Sequence, residues 1–322
     1  MRFLRIGLVL GLLATAACGS DTESTASTAA TTQPPPQTTA PPATTEPATT
    51  TTTVGTTTST TNTTAPTTAV ATTDGTAPTL VDVKVYFLRD ERLAITHRLV
   101  PGPGVMRAAL NELLAGPTPE EAAAGLSSKV PDGTELLGLN LAGGLATVDL
   151  NSQFESGGGS LSMMARIAQV VFTATQFDNS DRVLFWLDGE PIEYLGGEGI
   201  VLDEPQARMD VDRTISGAVI IERPAYGAIV GSTFTVTGEG DVFEAQFPIE
   251  VWSGTKADGE LIERIGPVTA GAWGTWADFE VTITIDAPDG PIELVAYDPG
   301  GCGTGPECPE IIETHVPLTL AN

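Results

Sequence analysis

The sequence predicts an α+β domain followed by an all-β, immunoglobulin-like sandwich, both placed behind a signal peptide and a disordered linker. Three observations carry this reading. Residues 21–80 hold 27 Thr and 8 Pro with no Lys, no Arg and no aromatic residue, a composition that cannot bury enough apolar surface to offset its ordering entropy. Between residues 81 and 213, strand-like alternation and helix-like spacing mix without a regular strand–helix–strand order. Between 214 and 322, seven short strand-like runs follow one another with Gly and Pro turns between them, which is the signal of a sandwich. The division is a signal peptide over 1–17, a Thr/Ala/Pro-rich tether over 18–80, the α+β domain over 81–213 and the sandwich over 214–322.

Composition excludes several classes. There are 41 acidic residues against 15 Lys and Arg, a net charge of −26. Nucleic acid is disfavoured as a partner, because phosphate binding needs clustered cations. Three Cys and two His cannot build a four-ligand zinc site of Cys-pair spacing. One long apolar run exists, so the chain does not read as a polytopic membrane protein.

That run begins after the basic start Met1-Arg2-Phe3-Leu4-Arg5 and extends from Ile6 to Ala17. It is too short to span a bilayer and fits a secretory h-region. It ends in Thr15-Ala16-Ala17-Cys18-Gly19, which resembles the lipobox of bacterial lipoproteins, with Thr15 where Leu is usual. The resemblance implies cleavage before Cys18, a diacylglyceryl group on its sulfur and an extracytoplasmic, membrane-anchored protein. Ordinary signal cleavage that leaves Cys18 free is the alternative. More than one acyl chain is needed for stable anchoring. The acidic surface repels anionic headgroups, so attachment would come from lipid and not from a basic patch. Residues 21–78 then read as a tether, about 40–45 Å long as a coil and up to ~180 Å as polyproline II. Dense Thr with Pro is also the composition of glycosylated stalks, with a bare spacer as the alternative; Asn62-Thr63-Thr64 is taken as a chance motif. Few Lys and many Ala and Gly fit a GC-rich, Gram-positive bacterium.

In the first domain, Val81, Val83, Val85 and Phe87 alternate with Asp82, Lys84 and Tyr86 as a strand, Arg89-Asp90-Glu91 turns, and Leu93–Val100 returns. Met106, Leu110, Leu113 and Leu114 recur at helical spacing until Gly116-Pro117 stops the helix. Thr118-Pro119-Glu120-Glu121 starts another, with Thr118 and Glu121 as a capping box and Pro119 at the first helical position. Residues 135–141 and 145–150 pair as a hairpin through Gly143-Gly144. Gly157-Gly158-Gly159 is a flexible loop. Leu161, Met164, Ala168, Val171, Phe172 and Thr175 form one face of a long helix, and Val183–Leu187 is a buried strand before the turn Asp188-Gly189.

Taken in order, Val85-Tyr86-Phe87-Leu88, Leu113-Leu114-Ala115-Gly116-Pro117, Pro131-Asp132-Gly133-Thr134, Val148-Asp149-Leu150, Gln169-Val170-Val171-Phe172-Thr173 and Val183-Leu184-Phe185-Trp186-Leu187-Asp188-Gly189 resemble the GerMN domain of sporulation and germination proteins. The resemblance covers about 120 residues. It implies a binding or assembly module without an established catalytic set.

In the second domain the predicted strands are 215–221, 232–238, 245–252, 260–265, 276–285, 291–297 and 311–320. Phe279, Val281, Ile283 and Ile285 alternate cleanly with polar residues, while Pro248 argues for an edge or a bulge. Ile221-Glu222-Arg223-Pro224, Val236-Thr237-Gly238, Phe243-Glu244 and Phe279 resemble the Gmad-type immunoglobulin-like germination domain, which also implies interaction and not chemistry. Cys302 and Cys308 bracket five residues. In an exported protein this even remainder suggests a disulfide, worth roughly 2 kcal/mol in a chain-entropy estimate.

Candidate chemistry is sparse. A peptidoglycan hydrolase would need two converging carboxylates; Asp149, Glu155, Asp188 and Glu190 are candidates, but they read first as turn and surface acids. His97 and His315 lie in strands, far from any nucleophile motif. Calcium is a weak possibility at Asp289-Gly290 and Asp298-Pro299-Gly300-Gly301, which read first as turns. No other cofactor is implied. For binding, Trp273 and Trp276 could stack on sugar or anchor a partner, or fill the sandwich core. Arg166, Gln169 and Thr173 share a helix face that meets either a partner or solvent. The expected function is non-catalytic binding or assembly at the cell envelope, with peptidoglycan or an envelope protein as partner; a peptidoglycan-active hydrolase, or a regulator of one, is the alternative.

Overall fold

A computed structural model describes residues 79–197, 199–300 and 311–322. The signal peptide, Cys18, nearly all of the tether and the Cys302–Cys308 loop lie outside these residues. No helix among the described residues is long and apolar enough to cross a membrane.

The first domain opens with a ten-pair antiparallel hairpin, β1 (Leu80–Arg89) and β2 (Arg92–Pro101). Asp90 and Glu91 both take positive φ, the backbone that a two-residue hairpin loop requires. The alternation groups Tyr86 with Asp82 and Lys84, yet both faces of the strand are covered from Val85 to Leu88. Helix α1 (Val105–Ala115) buries Met106, Ala109, Leu110 and Leu113 and stops at Gly116, whose φ is 81°. Helix α2 (Pro119–Ala123) carries the capping box: the Thr118 hydroxyl accepts from the Glu121 N–H, and the Glu121 carboxylate accepts from the Thr118 N–H. Strands β3 (Leu136–Ala142) and β4 (Gly144–Leu150) form the second hairpin, with Gly143 and Gly144 both left-handed. Helix α3 (Ser160–Ala174) then crosses over, and β5 (Ser180–Leu187) runs parallel to β4. Three two-residue strands follow, β6 (Glu190–Pro191), β7 (Tyr194–Leu195) and β8 (Ile200–Val201).

Helix α3 corrects the amphipathic reading. Residues 165–174 are buried on every side, because the helix is enclosed by α1, the β1–β2 hairpin and β5. A helix apolar all round belongs inside a fold, so its few polar side chains need internal partners.

Residues 213–216 correct a second expectation. They form a helical turn, α4 (Arg213–Ser216), because the Asp212 carboxylate accepts from the Thr214 N–H and hydroxyl at 2.8 and 2.7 Å. The sandwich therefore begins at β9 (Val219–Arg223), followed by β10 (Ile229–Val230), β11 (Thr233–Gly240), β12 (Gln246–Ser253), β13 (Leu261–Thr269), β14 (Ala277–Thr284), β15 (Gly290–Tyr297) and β16 (Glu313–Leu320). One sheet has the order β14-β11-β9 and the other β10-β16-β15-β12-β13. Pro248 sits in β12, which has neighbours on both sides; the ladder with β13 shifts register between Phe247 and Ile249, so the proline marks a bulge and not an edge.

Two hydrophobic cores result. The sandwich core is built from residues such as Val236, Phe247, Ile249, Phe279 and Leu294. The first core contains Tyr86, Phe87, Phe154, Phe172 and Phe185, and also Ile215 and Ile220, with Trp276 packed against it. Both domains belong to one compact unit, Thr72–Asn322, and the sandwich completes the core of the domain before it.

Candidate functional site

The junction between the domains is polar and paired. Glu239, at the end of β11, is 3% exposed. Its carboxylate accepts from Lys84 Nζ at 2.6 Å, from the Tyr86 hydroxyl and from the Arg208 guanidinium. Burial pushes this carboxyl up, but the charges of Arg208 and Lys84 and the donated hydrogen bonds outweigh it and hold it below the ordinary carboxylate range. Burial, reinforced by the Glu239 charge, raises the Tyr86 phenol well above its usual value. Lys84 loses by desolvation and gains more from Glu239 and Asp278, so its ammonium is held above the usual range. Lys84 also reaches Asp278 at 2.9 Å and Glu222 at 3.5 Å. Beside it, His97 bridges Asp82 (Nδ1–Oδ1 3.0 Å) and Glu222 (Nε2–Oε1 2.7 Å). The Glu222 hydrogen bond, opposed by burial and aided by Asp82, raises the imidazole above its ordinary value. Every charge in this cluster has a protein partner, so the arrangement clasps β1 and β2 to β9 and β11.

A second feature lies on the sandwich surface. Trp273 is 77% exposed and holds φ 57°. A left-handed bulky residue is strained and persists only where its surroundings fix it. Here the buried Asp241 carboxylate accepts from the Gly274 N–H at 3.0 Å and pairs with Arg213 at 2.7 Å. Gly274 must be glycine: its φ is 85°, and an added Cβ would press on Met209 at 3.1 Å. Phe243 braces the indole edge-on, with centroids 5.3 Å apart. Phe243 also leads into a groove of about 590 Å³ whose walls include Phe247, Pro248, Arg264, Pro267 and Pro299.

The two tryptophans singled out in the sequence therefore part company. Trp273 faces outward, whereas Trp276 is half-buried and packs edge-on against Phe172 at 5.0 Å. The expectation that Arg166, Gln169 and Thr173 meet a partner or solvent is corrected: all three are at most 1% exposed. Arg166 donates to the carbonyls of Phe154, Ser156 and Gly157. Gln169 donates to the Tyr86 carbonyl and accepts from the Lys129 N–H, and the Thr173 hydroxyl accepts from the Tyr86 N–H. These side chains seat α3 against the backbone around it. Asp149, in β4, accepts from the Gly189 N–H, Asp188, in the turn after β5, accepts from the Ser152 N–H, and Glu155 and Glu190 are exposed. His315 lies against Glu293 and Glu313. Asp289 accepts from Asn322, and Asp298 from Phe243 and Gly300. Among the described residues, no group of three or more His, Cys, Asp or Glu converges as metal ligands would. Sequence reading missed Glu239 and Arg208, whose partners lie far away along the chain.

Two family models match the chain, one in each folded part. Residues 84–193 match the Germane family, described as sporulation and spore germination, and residues 218–301 match Gmad2, the immunoglobulin-like domain of bacterial spore germination. Similar solved structures include the first GerMN domain of the sporulation protein GerM from Bacillus subtilis, at 21% identity over 40% of this chain and 99% of that one (TM-score 0.34). The tandem GerMN domains of the same protein align at 15% identity over 65% of this chain and 62% of that one (TM-score 0.37). A putative lipoprotein from Clostridium perfringens aligns at 20% identity over 42% and 93% (TM-score 0.31). No curated protein matches the chain.

Proposed function

We propose, from the premise that this chain is a sporulation- and germination-type protein with a Germane domain followed by a Gmad2 immunoglobulin-like domain, that it is a non-catalytic binding module of the cell envelope. In this reading a lipid on Cys18 holds it at the outer face of the membrane. Residues 18–80 form the tether, and the two folded domains present one fixed surface to the cell wall. Tethering raises the effective concentration, so modest contacts suffice.

The observation that carries the reading is Trp273. An indole 77% exposed, held in a left-handed backbone and braced by Phe243, is an aromatic platform set in place before any ligand arrives. Such platforms stack on sugar faces and anchor partners with little ordering cost. The two families are described by sporulation and germination and by an immunoglobulin-like fold, and neither description names a reaction.

The test is co-sedimentation of the detergent-purified full chain with intact peptidoglycan sacculi, with soluble muropeptides assayed in the supernatant. The expected result is saturable binding, weakened about tenfold by Trp273→Ala, with no muropeptide release. Undiminished binding by the variant, or release of fragments by the wild type, would overturn the proposal.

A further inference from the structure

A cleft of about 770 Å³ opens beside the junction clasp, and its wall chemistry is lopsided. Five carboxylates line it, from Asp82, Asp178, Asp181, Glu239 and Asp278, against the two fixed cations Lys84 and Arg208. Both cations are already committed to Glu239, and His97 occupies Asp82. Asp178, in the turn before β5, and Asp181, its second residue, have no ion-pair or hydrogen-bond partner among the described residues, and both are exposed.

Ser180, between these two acids, is 3% exposed and also lines the cleft. Its hydroxyl has no hydrogen-bond partner. A buried hydroxyl without a partner is uncommon and costs stability. Apolar surface continues the cleft at Val81, Val105 and Phe177. The cleft thus offers surplus negative charge, a spare buried hydroxyl and an apolar strip.

We infer that this junction cleft binds a lysine-type ammonium group, with Asp178 and Asp181 neutralising the cation, Ser180 supplying a hydrogen bond and the aliphatic arm lying on Val81, Val105 and Phe177. A phosphate or carboxylate ligand is opposed by the charge of the same walls. The site is distinct from Trp273, and the inference does not depend on wall binding.

The test is titration of the full chain with Nα-acetyl-lysine methylamide and, separately, with its norleucine counterpart, which keeps the arm and lacks the ammonium. Binding is followed by amide chemical shifts and calorimetry. Saturable binding of the lysine compound is expected, with the largest shifts at residues 178–181 and weakening as salt rises. The exposed Asp178→Asn/Asp181→Asn pair should weaken it about tenfold, the sum expected of two partly screened charge contacts. Ser180→Ala should weaken it about threefold without lowering the melting temperature. Equal affinity for the norleucine compound, undiminished binding by the double variant, or no saturation at 20 mM would each overturn the inference. The comparison of the two ligands on the wild-type chain stands even if a variant folds poorly.

Discussion

Replacing Glu239 by Gln keeps the shape of the side chain and removes its charge. The carboxylate accepts from three donors, Lys84, Tyr86 and Arg208. Lys84 keeps Asp278 and Glu222 after the change. Arg208 keeps only neutral acceptors, the Thr175 and Tyr86 hydroxyls and the Phe172 carbonyl, and its side chain is 13% exposed. One buried cation is left uncompensated, a situation that costs about 3–5 kcal/mol. For a folded body of this size each kcal/mol lowers the melting temperature by about 2–4 °C, so the variant should melt about 6–20 °C lower. Urea unfolding followed by far-UV circular dichroism and tryptophan fluorescence gives the free energy directly. Removing the orphaned cation as well, in Glu239→Gln/Arg208→Met, should cost at least about 1.5 kcal/mol less than the sum of the two single changes. A loss below about 1 kcal/mol for Glu239→Gln, or strict additivity in the double variant, would refute the claim that the clasp holds the domains by compensated charge.

Three further expectations concern stability. Gly238→Ala should destabilise by about 3 kcal/mol, the upper end for overpacking, because the new Cβ would lie 2.1 Å from the Ile220 carbonyl and 2.7 Å from the Phe279 ring; a melting temperature within 2 °C of wild type would contradict the packing described. The His97 imidazole is raised above its usual value by Glu222 and Asp82, so its contribution is fully present below about pH 6.5 and is lost as pH rises through the raised folded value. The stability gap between wild type and His97→Gln should therefore shrink from pH 6 to pH 9, and a gap that widens would reverse the sign. The Glu121 carboxyl is held down to about 2, chiefly by the Arg98 hydrogen bonds, so its contribution is present above the usual carboxylate range and disappears as pH falls towards 2. In acid titration, Glu121→Gln should be less stable than wild type at pH 6 and should converge with it near pH 2.

Locally encoded features were legible in the sequence. The capping box at Thr118 and Glu121, the Gly143-Gly144 hairpin and the alternating strand at Phe279 depend on neighbours a few residues away, and the structure has them where the pattern puts them. What failed was the assignment of polar residues in α3 to an outward face. Arg166, Gln169 and Thr173 sit among Ala, Ile, Val and Phe on every side, which was itself a signal that the helix is enclosed and its polar groups paired inside. Their partners are backbone groups of β1 and of the loops around residues 129 and 154–157, which no local pattern exposes. The clasp was hidden for the same reason, since Glu239 is separated from Tyr86 by 153 residues. Trp273 was singled out only together with Trp276, as an anchor or a core residue; its exposure and its left-handed backbone depend on Asp241 and Met209, contacts made only in the folded chain.

The first strand has a mechanical consequence. Tension applied at residue 79 enters the fold at Leu80, where β1 begins, and peels the pairs Leu80↔Pro101, Val81↔Val100 and Asp82↔Leu99 in sequence. This is unzipping, in which bonds fail one at a time and resist little. The fourth and fifth pairs, Val83↔Arg98 and Lys84↔His97, bring the pull to two side chains joined to the sandwich by Glu239 and Glu222. There the force spreads sideways into β9 and β11 and must shear several charged contacts at once. The strand is a weak leader with a rip-stop a few residues in. A single-molecule pulling trace should show a short, low-force extension of about three residue pairs before the main rupture, and Glu239→Gln should erase the step between them.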